Sequence, residues 1–205
     1  MPRTESPPFG RGETFYNGGT IDSNNLGGAQ FEGKIWEFED IDYSLGKTGS
    51  KVSRSNRVVK CMCVRNVSGI SLLPKRLAGL QTGGTDGRYA LGRTDGYTAA
   101  TGQRGYPIDE FLPSTGVPNN DLFWLVVDGP SKVLTDLAGG ANNLISVGSF
   151  VDALTAATSQ ATTAGRVEPI AATSLSYNLN RIGMALSAVT TGNTNADLLV
   201  EVSRW

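Results

Sequence analysis

The 205-residue sequence contains no histidine and only two cysteines. Without histidine, the commonest general base and the commonest metal ligand are both missing. The cysteines, Cys61 and Cys63, lie two apart in Val-Lys-Cys-Met-Cys-Val. On a strand their side chains share one face, a poor geometry for bridging to each other and a good one for two small buried hydrophobes. A zinc site would need further thiolates or histidines. Charge is sparse too: charged residues are 18% of the chain and sum to −1. That balance gives no global attraction to nucleic acid or to an anionic membrane. No apolar run approaches the ~20 residues of a membrane span. The N-terminus, Met-Pro-Arg-Thr-Glu-Ser-Pro-Pro, lacks the apolar core of a signal peptide. The expectation is a soluble protein made and folded in a cytoplasm.

The usual catalytic signatures are absent as well. There is no Gly-x-Ser-x-Gly elbow, no phosphate-binding Gly-x-x-x-x-Gly-Lys-Ser/Thr loop and no dinucleotide fingerprint. Gly46-Lys47-Thr48 resembles the tail of a phosphate loop, but the position of its first glycine is held by Ile41. The acid pair Asp109-Glu110 points apart on an extended chain and reads as solvated surface. The sequence therefore predicts no catalytic residue, no cofactor and no metal site, and the chain is not read as an enzyme.

What is present is turn chemistry and β-formers. The 26 glycines and 9 prolines, with many Thr, Val and Asn, indicate an all-β chain, a compact barrel or sandwich with long loops and an extended N-terminal arm. The stretch around which the rest is arranged is Asn120 to Pro130, Asn-Asp-Leu-Phe-Trp-Leu-Val-Val-Asp-Gly-Pro. Its apolar run, Leu122 to Val127, closed by breakers at Asp128-Gly129-Pro130, predicts a short buried strand with Trp124 as a core anchor. Residues 1–30 carry too few apolar residues to fold alone and are read as a disordered tail or, in preference, as an arm that orders against a partner, with Phe15, Tyr16, Ile21 and Leu26 as its anchors. Residues 31–119 are read as strands with long Gly-rich loops, and 120–205 as a compact β domain.

Within the middle segment, Trp36 to Ile41 alternates like a strand whose acids, Glu37, Glu39, Asp40 and Asp42, mark the solvent face. A strand follows at Arg57 to Arg65, with a turn at Asn66 to Gly69. Between Asp42 and Asp86 lie Lys47, Lys51, Arg54, Arg57, Lys60, Arg65, Lys75 and Arg76, with no acid among them. Such a basic run suits nucleic acid or an acidic protein surface. The missing stacking aromatics and DNA- or RNA-binding signatures leave the protein surface, with Lys47, Lys51, Arg54 and Arg57 as contacts. Positions 1–108 hold 14 bases and 10 acids, positions 109–205 hold 4 and 9, a complementarity that suits contacts between copies. Residues 81–107 read as a long loop in which Tyr89, Tyr97 and Tyr106 suggest a carbohydrate-stacking surface as an alternative. Further on, Lys132 to Thr135 reads as its own short strand. Leu144 to Leu154 reads as a strand with a bulge at Gly148, or as a helix over 147–157. Gly165 to Ile170 begins a strand, and Ile182–Val189 pairs with Leu198–Val202.

In combination, Asn66-Val-Ser-Gly-Ile-Ser-Leu-Leu-Pro74, Ile108-Asp-Glu-Phe-Leu112, Asn120 to Pro130 and Ile182-Gly-Met-Ala-Leu186 resemble the small head proteins of tailed bacteriophages. The likeness spans about residues 60 to 205 and leaves the arm unmatched. The family is that of the capsid decoration, or cement, proteins. The resemblance implies an often trimeric structural protein on the outside of the virion, bound to the major capsid protein and stabilising the head. No nucleic-acid or membrane partner is expected, on the charge balance and the missing signatures given above. A tail or fibre component is the alternative within the same particle.

Overall fold

A computed structural model describes residues 6–15, 28–42, 52–81, 92–98, 104–135, 144–153, 165–170, 181–190 and 196–203. Among these the structure is all-β, with no α-helix beyond a single 3-10 turn at Ala29–Phe31. The strands are β1 (Ile35–Asp42), β2 (Val52–Asn66), β3 (Leu77–Gly79), β4 (Arg93–Thr94), β5 (Gly105–Pro107), β6 (Leu122–Leu134), β7 (Phe150–Ala153), β8 (Val167–Pro169), β9 (Gly183–Ala185) and β10 (Asp197–Val202). The main sheet runs β1-β2-β6-β10-β9-β7-β8, with β4 beside β2, and β3-β5 form a second, small sheet. Every pairing is antiparallel except the short β2–β4 contact. The ends β1 and β8 do not pair with each other, so the sheet stays open and the architecture is sandwich-like, not a closed barrel.

β6 is the spine. Its first half pairs with β2, from Leu122 opposite Arg65 to Asp128 opposite Lys60, and its second half pairs with β10, from Gly129 opposite Val202 to Leu134 opposite Asp197. The strand therefore continues through Asp128-Gly129-Pro130, where the sequence suggested an end and a separate strand at Lys132. The breakers bend the strand instead. Lys60 faces Asp128 while Cys61 faces Val126, so Val127 is an extra residue and the ladder bulges there. Gly129 follows with φ 95°, and a Cβ at this position would sit 2.6 Å from the Val58 carbonyl oxygen. Only glycine allows that approach. Pro130, which has no N–H to give, is tolerated beside the irregularity. The sheet thus runs without a break across residue 120.

The apolar run of β6 is continuous because both of its faces are covered. Leu122, Trp124 and Val126 belong to one buried cluster with Val59, Cys61, Cys63, Phe9 and the inward residues of β7 to β10, among them Val151, Val167, Ala185 and Val200. Phe123 and Leu125 belong to a second, with Val64, Leu72, Ala78, Leu80, Ile108, Leu112 and Val117. The small β3-β5 sheet and the segment around residues 108–117 supply that second layer.

Two local readings change. The segment before β7 is a turn, closed by Ser149 N–H donating to the Ser146 carbonyl, with Gly148 at φ 87° inside it. It is neither a bulge nor the start of a helix. Residues 109–112 likewise make a turn, with Leu112 N–H on the Asp109 carbonyl.

Candidate functional site

Residues 6–15 lie across the body as a strap. Phe9 is buried with its ring 4.7 Å from that of Trp124, and the Trp124 indole N–H donates to the Gly10 carbonyl at 3.2 Å. Arg11 makes a two-pronged pair with Asp109, at 2.8 and 3.1 Å, while its guanidinium lies over the Phe111 ring. Burial works against the charge of Arg11, but the Asp109 carboxylate more than offsets it, and its proton is held more tightly than in an ordinary arginine. Phe15 and Leu122 exchange backbone hydrogen bonds at 2.9 and 3.1 Å, adding a one-residue strand contact beside β6. The Phe15 ring is partly exposed, against Phe9 and Phe31. Phe31, Trp36, Phe38 and Trp124 continue the aromatic cluster at 5.2 to 6.3 Å. Phe15 is thus a surface member of a packed core. Tyr16, Ile21 and Leu26, expected as further arm anchors, lie outside the described residues.

The basic run is drawn into the fold. Arg54 binds Asp40 at 2.6 Å and Glu110 at 3.0 Å, with a further bond to the Pro130 carbonyl, and its side chain is almost wholly enclosed. Ser55 Oγ donates to Asp40 as well. Asp40 and Asp42 are buried, and only Glu37 and Glu39 of that acidic stretch face solvent. Asp109 and Glu110, read as solvated surface, are buried too, since each meets an arginine from a distant segment. Lys132 reaches Asp42 at 3.3 Å and Glu110 at 3.8 Å. Arg57 pairs with Glu201, Lys60 with Glu37 and Asp128, and Lys75 with Asp197. The charge complementarity between the two parts of the chain is therefore used inside one copy. Of the four expected basic contacts, Arg54 is internal, Arg57 is 58% exposed at its side chain, and Lys47 and Lys51 lie outside the described residues.

Tyr97 and Tyr106 do not offer an open stacking platform. The Tyr97 hydroxyl accepts the Leu73 N–H at 2.7 Å, and the Arg76 guanidinium covers its ring. Arg104 covers Tyr106 in the same way, and both rings pack against the second core cluster. Tyr89 lies outside the described residues.

What sequence reasoning missed is an apolar band on the outer face of the sheet. Phe150 pairs with Met184, Met184 with Glu201, and Glu201 with Pro130. Residues directly opposite in an antiparallel sheet project from the same face, so these four form one row across β7, β9, β10 and β6. Phe150 is 45% exposed, Met184 38%, and Val147, in the turn leading into β7, 66%. Gly148 N–H on the Ala185 carbonyl pins that turn beside β9. Within the row Arg57 grips Glu201 at 2.7 Å, and at the Phe150 end the Arg181 guanidinium lies 4.1 Å from the ring centre. The signal was available: Ser-Phe-Val and Gly-Met-Ala are apolar on both parities, whereas a one-faced strand alternates with polar residues.

Among the described residues no group of three or more acids or cysteines is arranged to hold a metal ion, and no helix is long and apolar enough to cross a membrane. No protein-family model matches the chain, and no curated protein matches it.

Proposed function

We propose that this chain is a structural protein of a virus particle, a decoration or cement protein that docks on the outer surface of a tailed bacteriophage's major capsid protein shell and stabilises the head. The observation that carries the reading is the group of exposed apolar side chains Val147, Phe150 and Met184, flanked by Arg181 and by the Arg57–Glu201 pair. Exposed apolar side chains grouped on a rigid face, with charged groups at the margin, form the pattern of a protein-docking surface. The motifs that resemble the phage head proteins support it from a second side. Asn66 and Asn120 meet in the fold, with Asn120 N–H on the Asn66 carbonyl at 2.7 Å. The Asn66 amide also ties Ile70, Val117 and Pro118 into one corner.

A cement protein gains hold from many modest contacts repeated by symmetry. A homotrimer would triple the band's contribution without any preorganised active site. The partner is then the major capsid protein together with two further copies of this chain, and the place of action is the capsid exterior. The direct experiment adds purified protein to expanded heads that lack it and images them by cryo-electron microscopy. Ordered extra density on the outer shell is the expected result. Bare shells at saturating protein would overturn the proposal.

A further inference from the structure

Two strands, β2 and β6, meet at one buried carboxylate, with β1 and the strap close by. Glu110 has a side chain that is only 2% exposed. Arg54 from β2 donates to both of its oxygens at 3.0 and 3.2 Å, and from β6 the Lys132 backbone N–H donates at 3.2 Å. Both side-chain cations, however, are held more closely by another acid. Arg54 makes its shortest bond, 2.6 Å, to Asp40 of β1, and the Lys132 ammonium is nearer Asp42, at 3.3 Å, than Glu110, at 3.8 Å. The neighbouring Asp109 has taken Arg11 of the strap. Glu110 therefore has only a second claim on each cation around it, and three carboxylates stand nearby. The remaining titratable groups of the surroundings are Cys61 of β2, which faces Arg11 and Asp109, and Glu201 of β10 and Asp128 of β6, which lie beyond Asp40.

We propose that Glu110 is the proton-binding member of this buried clasp, so that the hold between strap, β1, β2 and β6 is strongest with Glu110 protonated and loosens as pH rises and the proton is lost. A buried carboxylate that shares its counter-charges keeps much of its desolvation cost when ionised. Taking a proton removes that cost and leaves Arg54 to Asp40 and Lys132 to Asp42. Burial pushes the Glu110 carboxyl above the usual glutamate value, against the opposing pull of Arg54, Lys132 and Arg11. The sign follows from linkage. The folded state keeps its proton where the unfolded chain has lost it, so the associated stability is present at low pH and is lost as pH rises through the folded value. Through that window the folded-to-unfolded ratio falls by up to about tenfold per pH unit.

The test compares unfolding midpoints of the full chain and of Glu110→Gln, which mimics the protonated form, from acid to mildly alkaline pH. The two are expected to coincide at the acid end, with Glu110→Gln more stable at the alkaline end and its profile flatter. A Glu110→Gln protein that is less stable than the parent throughout, or does not fold, would show that the ionised pair is required and would overturn the proposal. Carbon-13 NMR titration of the glutamate carboxyls in the unmodified protein gives an independent readout. A Glu110 midpoint above the ordinary glutamate range supports the clasp, and one at or below it refutes it.

Discussion

At the scale of single residues, Trp124 is the point where strap, β1 and β6 meet. Phe9, Trp36 and Phe38 all contact its ring, and its indole N–H is satisfied by Gly10. Replacing it by alanine opens a cavity that three aromatic neighbours cannot fill and should cost about 3–5 kcal/mol; equilibrium urea unfolding measures this directly. The two cysteines are free thiols buried in the core. Burial pushes the Cys61 thiol far up and that of Cys63 up to about 12. Thiolate is the reactive form, so neither should react with an aromatic disulfide reagent until the protein unfolds, when both should. The same burial predicts a pH effect. The unfolded thiols ionise near 9 while the folded ones keep their protons, so stability should decline as pH rises from about 9 towards 12. Replacing both cysteines by alanine or valine should remove that part of the decline.

At the scale of elements, the strap is the clearest departure from the picture of a chain that orders only on a partner. Residues 6–15 supply a core aromatic and a buried cation to their own fold. Arg11→Ala leaves Asp109 buried without its counter-charge, and breaking a pair of this kind costs about 3–5 kcal/mol. Thermal and urea unfolding of Arg11→Ala should show a loss of that size, while Arg57→Ala, at an exposed pair, should lose less than about 1 kcal/mol. Element type was legible where periodicity was strong. β1, the core of β2, the apolar half of β6 and the β9–β10 pair could all be read from alternation, apolar runs and turn residues. What could not be read depends on distant partners. Asp128-Gly129-Pro130 looks like a stop until β2 and β10 are in place on either side, when it becomes a bend. The acidity of Asp40, Asp109 and Glu110 looks like surface until Arg54 and Arg11 arrive from segments 14, 56 and 98 residues away. The exposed row was only half legible: apolar residues on both parities signal two apolar faces, but nothing along the chain says which face stays uncovered.

At the scale of the whole molecule, the chain spends its basic residues on holding itself together. Arg54, Arg57, Lys60 and Lys75 all pair with acids from the later part of the sequence. What it presents outward on β7, on β9 and in the turn before β7 is apolar: Phe150, Met184 and Val147. Adhesion through such a face should respond weakly to salt, since its contacts are not chiefly ionic. Binding to heads measured at low and at 1 M salt should therefore change little, whereas attachment through a basic face would collapse. The most direct measurement is co-sedimentation of expanded heads with the double variant Val147→Asp/Met184→Asp, taken beside the unmodified protein. Both substitutions lie at exposed positions, so circular dichroism and the unfolding midpoint should stay close to those of the parent. The account predicts that the parent saturates the shells while the folded variant loses at least about a hundredfold in affinity, as expected for two charges pressed into an apolar interface. Undiminished occupancy by the folded variant would contradict it.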